Sequence, residues 1–237
     1  MEPTLAILIS GASLRDGEAS VLSDLFETGL QRLHLRKPDC KPTEVAQLLS
    51  RIPEIYHSRI VMHRFPELLK EFDLAGYHHF TSEKLIQCKG TISRSLHTLD
   101  ELKEIKEPLD YCFFGPVFES ISKKGYVPKV SLPELGGVLY NHKKSKKKQP
   151  LVYALGGVRR RKIPELFNLG FDGITLLGLG RIFRVLTFGF IIVIKDGFYQ
   201  NQMETKEFGF IGRGQVLGFG QGMTFILLHG IALQKIG

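Results

Sequence analysis

The sequence predicts an α/β fold of the (β/α)8 TIM-barrel kind, followed by a C-terminal extension of different character. Three observations carry this. Eight short apolar or semi-apolar runs alternate with helix-like segments, which is the spacing of βα units and not of hairpins. The chain has 237 residues, a length that suits one barrel of about 200–250 residues. The alternation then stops: residues 181–237 hold 8 of the 17 Phe, 10 of the 25 Gly and no Pro. The chain therefore divides into a barrel over residues 1–180 and an atypical Gly/Phe-rich tail over residues 181–237, whose role is unknown. An open doubly wound sheet is the alternative on pattern alone.

The expected strands are residues 5–9, 33–35, 60–62, 76–80, 91–95, 111–117, 151–155 and 173–177. Each is short. The expected helices are residues 19–29, 43–51, 66–72, 99–105, 132–142 and 163–169. Thr43 and Thr98 stand where N-caps belong, and Thr98 is followed by Glu101 as in a capping box. Pro66 suits a first helical turn, and Gly29 and Gly170 fall where helices stop. The segment after the fourth run has room for about one turn. No amphipathic helix follows the eighth run; residues 188–194 read as a further strand. The tail reads either as a poorly ordered extension or as sequence read in a shifted frame.

Composition excludes several classes. Hydrophobic residues make up 43% and charged residues 24%, a globular balance. No apolar run approaches the roughly 18–20 residues that span a bilayer. The start, Met-Glu-Pro-Thr, has no basic segment of a secretory signal. Cys40, Cys88 and Cys112 lie far apart, which fits free thiols in a reducing cytoplasm. The net charge of +8 is local: Lys143, Lys144, Lys146, Lys147 and Lys148 form one cluster, and Arg159, Arg160, Arg161 and Lys162 another. Without these nine charges the chain is close to neutral. The lysine run carries no interleaved aromatic residue and reads as a solvated loop. Neither nucleic acid nor membrane is expected as a partner. The sequence leaves a homo-oligomer open.

In such barrels chemistry sits at the C-terminal ends of the strands. Those ends read Leu33-His34-Leu35-Arg36-Lys37-Pro38, Met62-His63-Arg64, Ser93-Arg94-Ser95-Leu96-His97-Thr98, Ala154-Leu155-Gly156-Gly157-Val158 and Gly170-Phe171-Asp172-Gly173. The most specific stretch runs from Asp110 through Phe113-Phe114-Gly115-Pro116-Val117-Phe118 to Ser120, Ser122, Lys123 and Gly125. Taken in order over about residues 5–180, these pieces resemble the thiamine phosphate synthase/TenI family. The resemblance implies a (β/α)8 barrel in thiamine biosynthesis. It implies an Mg²⁺-dependent transferase that joins a pyrimidine pyrophosphate to a thiazole phosphate and releases pyrophosphate. A TenI-like thiazole tautomerase, an isomerase, is the alternative, and a non-catalytic binder of the thiazole phosphate is a third reading.

Residue by residue, the resemblance and the chemistry point to the same rim. Arg36 presents a planar fork suited to a pyrophosphate oxygen pair. Lys123 adds a point charge, and the hydroxyls of Ser120 and Ser122 suit phosphate oxygens. Gly156 and Gly157, read as lying just before a helix, offer backbone N–H groups to the thiazole phosphate, and Gly178 on the next strand end completes that site. His34 stands where the family has glutamine, and Lys37 is one residue early for the family's lysine. His34 and His63 are the candidate bases of a tautomerase, although that branch carries histidine where this chain has Pro116. Of the family's two carboxylate positions, one falls within Met62-His63-Arg64 and the other is Glu83, which is the expected Mg²⁺ ligand. His78, His79 and His97 raise a soft-metal cluster as a lesser reading. The expected partners are small-molecule phosphate substrates in the cytoplasm.

Overall fold

The computed structural model describes residues 5–81, 83–119 and 127–177. Ser120, Ser122, Lys123, Gly178, the strand expected over residues 188–194 and the tail lie outside the described residues. The chain divides into units Met1–Leu179 and Gly180–Gly237, and the following concerns the first.

Eight strands form: β1 (Ala6–Ile9), β2 (Leu33–Leu35), β3 (Ile60–Met62), β4 (Gly76–His79), β5 (Thr91–Leu96), β6 (Tyr111–Phe114), β7 (Leu151–Ala154) and β8 (Gly173–Leu177). Each pairs in parallel with the next, and β8 pairs with β1, so the barrel closes in sequence order. This is the predicted architecture, and the open sheet is excluded. Closure leaves no free strand edge. Alternation along each strand then sorts side chains to two faces. Ile7, Ile9, Tyr111, Phe113 and Tyr153 pack together inside the barrel. Ile92, Cys112, Phe114, Val152, Ala154 and Ile174 face outward, against Leu102, Leu135, Leu139 and Leu166 of the surrounding helices.

The helices are α1 (Glu18–Glu27), α2 (Pro42–Ser50), α3 (Leu68–Glu71), α4 (Leu99–Lys103), α5 (Leu132–Lys144) and α6 (Ile163–Leu169). The Thr98 capping box forms as expected: Glu101 N–H donates to Thr98 Oγ1 at 3.2 Å, and Thr98 N–H to a Glu101 oxygen at 2.9 Å. Ser131 caps α5 in the same way. Gly170 ends α6 in the left-handed region at φ 106°. Several expectations change. Lys41, not Thr43, is the N-cap of α2, and α3 begins at Leu68, after Pro66. The lysine run is not wholly a loop: Lys143 and Lys144 close α5, where cations favour the helix C-terminus, and Lys143 lies 3.1 Å from Asp172. And α6 begins six residues after Gly157, behind a 3-10 turn at Arg160–Lys162. Among the described residues no helix separates β4 from β5, and no helix is long and apolar enough to cross a membrane.

The pairing of β4 with β5 sets Gly76 directly against Thr91. A Cβ there would lie 2.1 Å from Thr91 O and 2.6 Å from Thr91 N, both backbone atoms, at φ +154°. Neither neighbour can yield without breaking the Gly76–Thr91 register. Gly76→Ala is therefore expected to lower stability by about 2–3 kcal/mol, read from the urea midpoint at unchanged m-value.

Candidate functional site

The inner face of the barrel is polar where β2 to β6 approach its C-terminal end. Alternation carries His34 inward from β2, His78 from β4, Ser93 and Ser95 from β5, and Tyr111 and Phe113 from β6. His63 follows β3 directly, and the β3–β4 register sets it beside His78. His34 Nδ1 lies 2.9 Å from His63 Nε2, and His34 Nε2 lies 2.7 Å from the Tyr111 hydroxyl. His78 Nδ1 lies 2.9 Å from Ser93 Oγ, and its Nε2 3.0 Å from Ser95 Oγ. The rings of His63 and His78 stack at 4.3 Å, and Phe113 stacks on the other side of this group, 4.7 Å from His78. Buried polar groups persist only when partnered, and these are.

Burial decides the charge state. Desolvation holds His34 and His78 well below the usual imidazole range, with neighbouring histidines adding to it. His63 is lowered to about 3, first by burial and then by the Arg36 guanidinium. Three imidazoles are therefore neutral at physiological pH. His34 is 0% exposed. With both ring nitrogens engaged, by His63 and by the Tyr111 hydroxyl, it lies beneath His63 in the floor of the site. His63 stands above it, and its Nδ1 makes no hydrogen bond among the described residues.

The rim begins at Arg36, two residues past His34 and on the same face. Its backbone is fixed by Ser10, whose Oγ accepts from Arg36 N–H at 2.9 Å. Its half-buried guanidinium forms no ion pair among the described residues. Lys37 is a correction. Alternation turns it away from the mouth, and its ammonium donates to both Glu18 oxygens (2.6 and 2.7 Å) and to Ser13 O (2.9 Å). Its three N–H groups are spent inside the protein, so it is not a ligand for substrate.

Glu83 is the second correction. Its carboxylate accepts from Phe80 N–H at 3.0 Å and from the Tyr77 hydroxyl at 3.4 Å, and lies 3.7 Å from His79 Nδ1. Tyr77 and His79 alternate with His78 and face out of the barrel. The loop after β4 thus folds behind the strand, where the Glu83 carbonyl also accepts from Arg94 and burial helps push Tyr77 up to about 12. Glu83 does not reach the mouth as a metal ligand. The soft-metal grouping is corrected too: His79 is on the outer face, and His97 Nδ1 donates to Gly115 O at 2.7 Å. The histidines that meet are His34, His63 and His78.

Gly156 and Gly157 occupy the turn after β7 with φ of 90° and 63°. A Cβ on Gly157 would meet Glu119 O at 2.5 Å, so the turn packs directly on the chain after β6. Neither glycine's N–H donates to another described residue. The turn lies ahead of the 3-10 segment and not at a helix start, so any anion would be held by turn amides without a helix dipole. Tyr111, Ser93, Ser95 and Glu18 are the site residues that sequence reasoning missed. The alternation of Ser93 with Ser95 and of Tyr111 with Phe113 is the signal that marks three of them as inward-facing. A groove lined by Leu69, Leu74, Gly76 and Cys88 opens at the opposite end of β4 and touches none of this chemistry.

Comparisons with known proteins bear on the barrel that carries this site. Residues 6–178, the span of the barrel, match the family described as thiamine monophosphate synthase. A thiamine-phosphate synthase of Phocaeicola vulgatus is 25% identical over 164 residues, 65% of this chain and 78% of that protein. The solved thiamine phosphate pyrophosphorylase of Bacteroides thetaiotaomicron is 30% identical with a TM-score of 0.62, over 73% of this chain and 83% of that one. The solved thiamine phosphate pyrophosphorylase of Pyrococcus furiosus is 17% identical with a TM-score of 0.58, over 73% and 85%, and shares the fold.

Proposed function

The chain belongs to the thiamine monophosphate synthase family, and on that premise we propose that it joins a pyrimidine pyrophosphate to a thiazole phosphate. The thiazole nitrogen forms the new C–N bond, the C–O bond to pyrophosphate breaks, and the leaving group takes the electron pair. No protein nucleophile is required. The barrel's task is to place two anions and to stabilise the charge that grows on the departing one.

One observation carries the reading: Arg36 stands at the barrel mouth on a fixed backbone, with no carboxylate among the described residues to neutralise it. Its fork takes the pyrophosphate oxygens. Lys123, Ser120 and Ser122 join it from the loop after β6, and Gly156, Gly157 and Gly178 hold the thiazole phosphate through backbone N–H groups. His63, at the base of the mouth, borders the substrate. Small-molecule phosphates are the partners, and the cytoplasm is the expected compartment. Pro116 stands where the tautomerase branch has histidine, and no feature of the site among the described residues favours that reading.

Mg²⁺ is the cofactor the family implies, and the described residues do not fit it. It demands hard oxygen ligands in octahedral array. The described inward-facing positions of the strands supply imidazoles, hydroxyls and two phenols, and Glu83 points the other way. No step is therefore routed through Mg²⁺. The test is incubation of the full chain with both substrates, with and without Mg²⁺. The expected result is thiamine phosphate and an equal amount of pyrophosphate. A folded protein that forms neither product under both conditions overturns the proposal.

A further inference from the structure

We propose that His34, His63 and His78 form a three-imidazole site for a divalent transition metal, Zn²⁺ in the first instance. Each offers a ligand atom, and these atoms all lie within 4.8 Å of one another. Two ligands about 2.0–2.1 Å from a tetrahedral ion stand about 3.3 Å apart. The His34 Nδ1 to His63 Nε2 distance of 2.9 Å is within a few tenths of an ångström of that. The three residues come from the ends of three consecutive strands, which are among the most rigid parts of a closed barrel. Imidazoles kept neutral by burial have the lone pairs that a metal takes.

The donor set decides the ion. Three neutral nitrogens, with no carboxylate or thiolate in the group, suit Zn²⁺, Co²⁺, Ni²⁺ or Cu²⁺ and not Mg²⁺ or Ca²⁺. The surroundings of His34 and His78 fit as well. A metal-bound imidazole usually hands its second N–H to a fixed acceptor. With the metal on His34 Nδ1, the ring proton sits on Nε2 and donates to the Tyr111 oxygen, 2.7 Å away. Ser93 and Ser95 flank both nitrogens of His78, so either can hold the ring once the other turns to the metal. Three protein ligands leave a fourth position for water or a phosphate oxygen, and Arg36 beside His63 favours an anion there. The proposal stands on metal binding alone and does not depend on the transfer reaction.

The full chain, stripped with chelator and dialysed, is titrated with Co²⁺ and followed by its visible ligand-field bands, then displaced with Zn²⁺. Saturation at one equivalent is expected. His63→Gln is expected to weaken binding at least about 100-fold, and Tyr111→Phe about 10–100-fold; His97→Gln and His142→Gln, outside the cluster, leave it unchanged. Circular dichroism checks folding of each variant. The proposal is overturned if the folded wild type takes up no stoichiometric Co²⁺, or if folded His63→Gln binds like wild type. Should His63→Gln fail to fold, Tyr111→Phe decides: a tenfold or greater weakening supports the site, and unchanged affinity overturns it.

Discussion

Arg36→Ala is expected to lower kcat/KM for thiamine phosphate formation about 10²–10³-fold, as removal of one donor to a developing anion commonly does, while the barrel stays folded. The two halves of this expectation have separate grounds. The rate falls because pyrophosphate departs with charge that the active site must absorb, and among the described residues Arg36 is a cation at the mouth with no ion pair of its own. The fold survives because the links from residue 36 to the barrel are backbone ones: Arg36 N–H donates to Ser10 Oγ, and Ser10 Oγ lies 3.2 Å from Arg36 O. Alanine keeps both. Arg36→Lys is expected to recover only part of the loss, because an ammonium cannot engage two oxygens in the planar geometry of a guanidinium. Steady-state kinetics with the pyrimidine pyrophosphate varied, together with a thermal melt, read both halves. An unchanged rate in Arg36→Ala removes the residue from the site.

The barrel was legible because its signals are local. Short apolar runs, Thr98 ahead of Glu101, and Gly170 at a helix end each act within a few residues, and all point to the same architecture. The site was legible only in part because its geometry depends on register. His34, His63 and His78 lie far apart in the chain. They meet because pairings such as Val61 with Gly76 and Met62 with Tyr77 slide three strand ends to one level. A motif names the residues of a rim but not the direction each faces. Glu83 has the right chemistry for a cation, yet the loop after β4 turns it behind the strand. Gly156 and Gly157 were placed at a helix start because the basic run that follows looks like a first turn. The structure makes that run a 3-10 segment and lets α6 begin at Ile163, with Pro164 in its opening turn. Lys37 shows the same limit: adjacency to Arg36 suggests a shared ligand, but period-two alternation gives neighbours opposite faces.

Separating Lys37 from Glu18 is expected to produce the largest loss of stability in the barrel. Both side chains are 1% exposed, and Glu18 also accepts from Arg15 N–H at 3.2 Å. Lys37→Met leaves a buried carboxylate that keeps only that N–H and the first turn of α1, and Glu18→Gln leaves an ammonium facing a neutral amide. Removing one member of such a pair costs about 3–5 kcal/mol, whereas replacing both by apolar residues is often near neutral. Lys37→Met combined with Glu18→Leu is therefore expected to be more stable than either single variant, with a double-mutant cycle in urea returning a large coupling term. The same double variant tests what Lys37 does. If the pair only anchors the end of β2 to the start of α1, the double variant keeps most of the wild-type kcat, since Arg36 is still positioned by Ser10. If it folds as well as wild type and yet loses the transfer activity, Lys37 touches the substrate and its assignment as a buried anchor is wrong. The contrast with Arg36 is then the physical point. Two adjacent cations on one strand end divide their labour by face, one neutralised inside for stability and the other left unpaired for the anion.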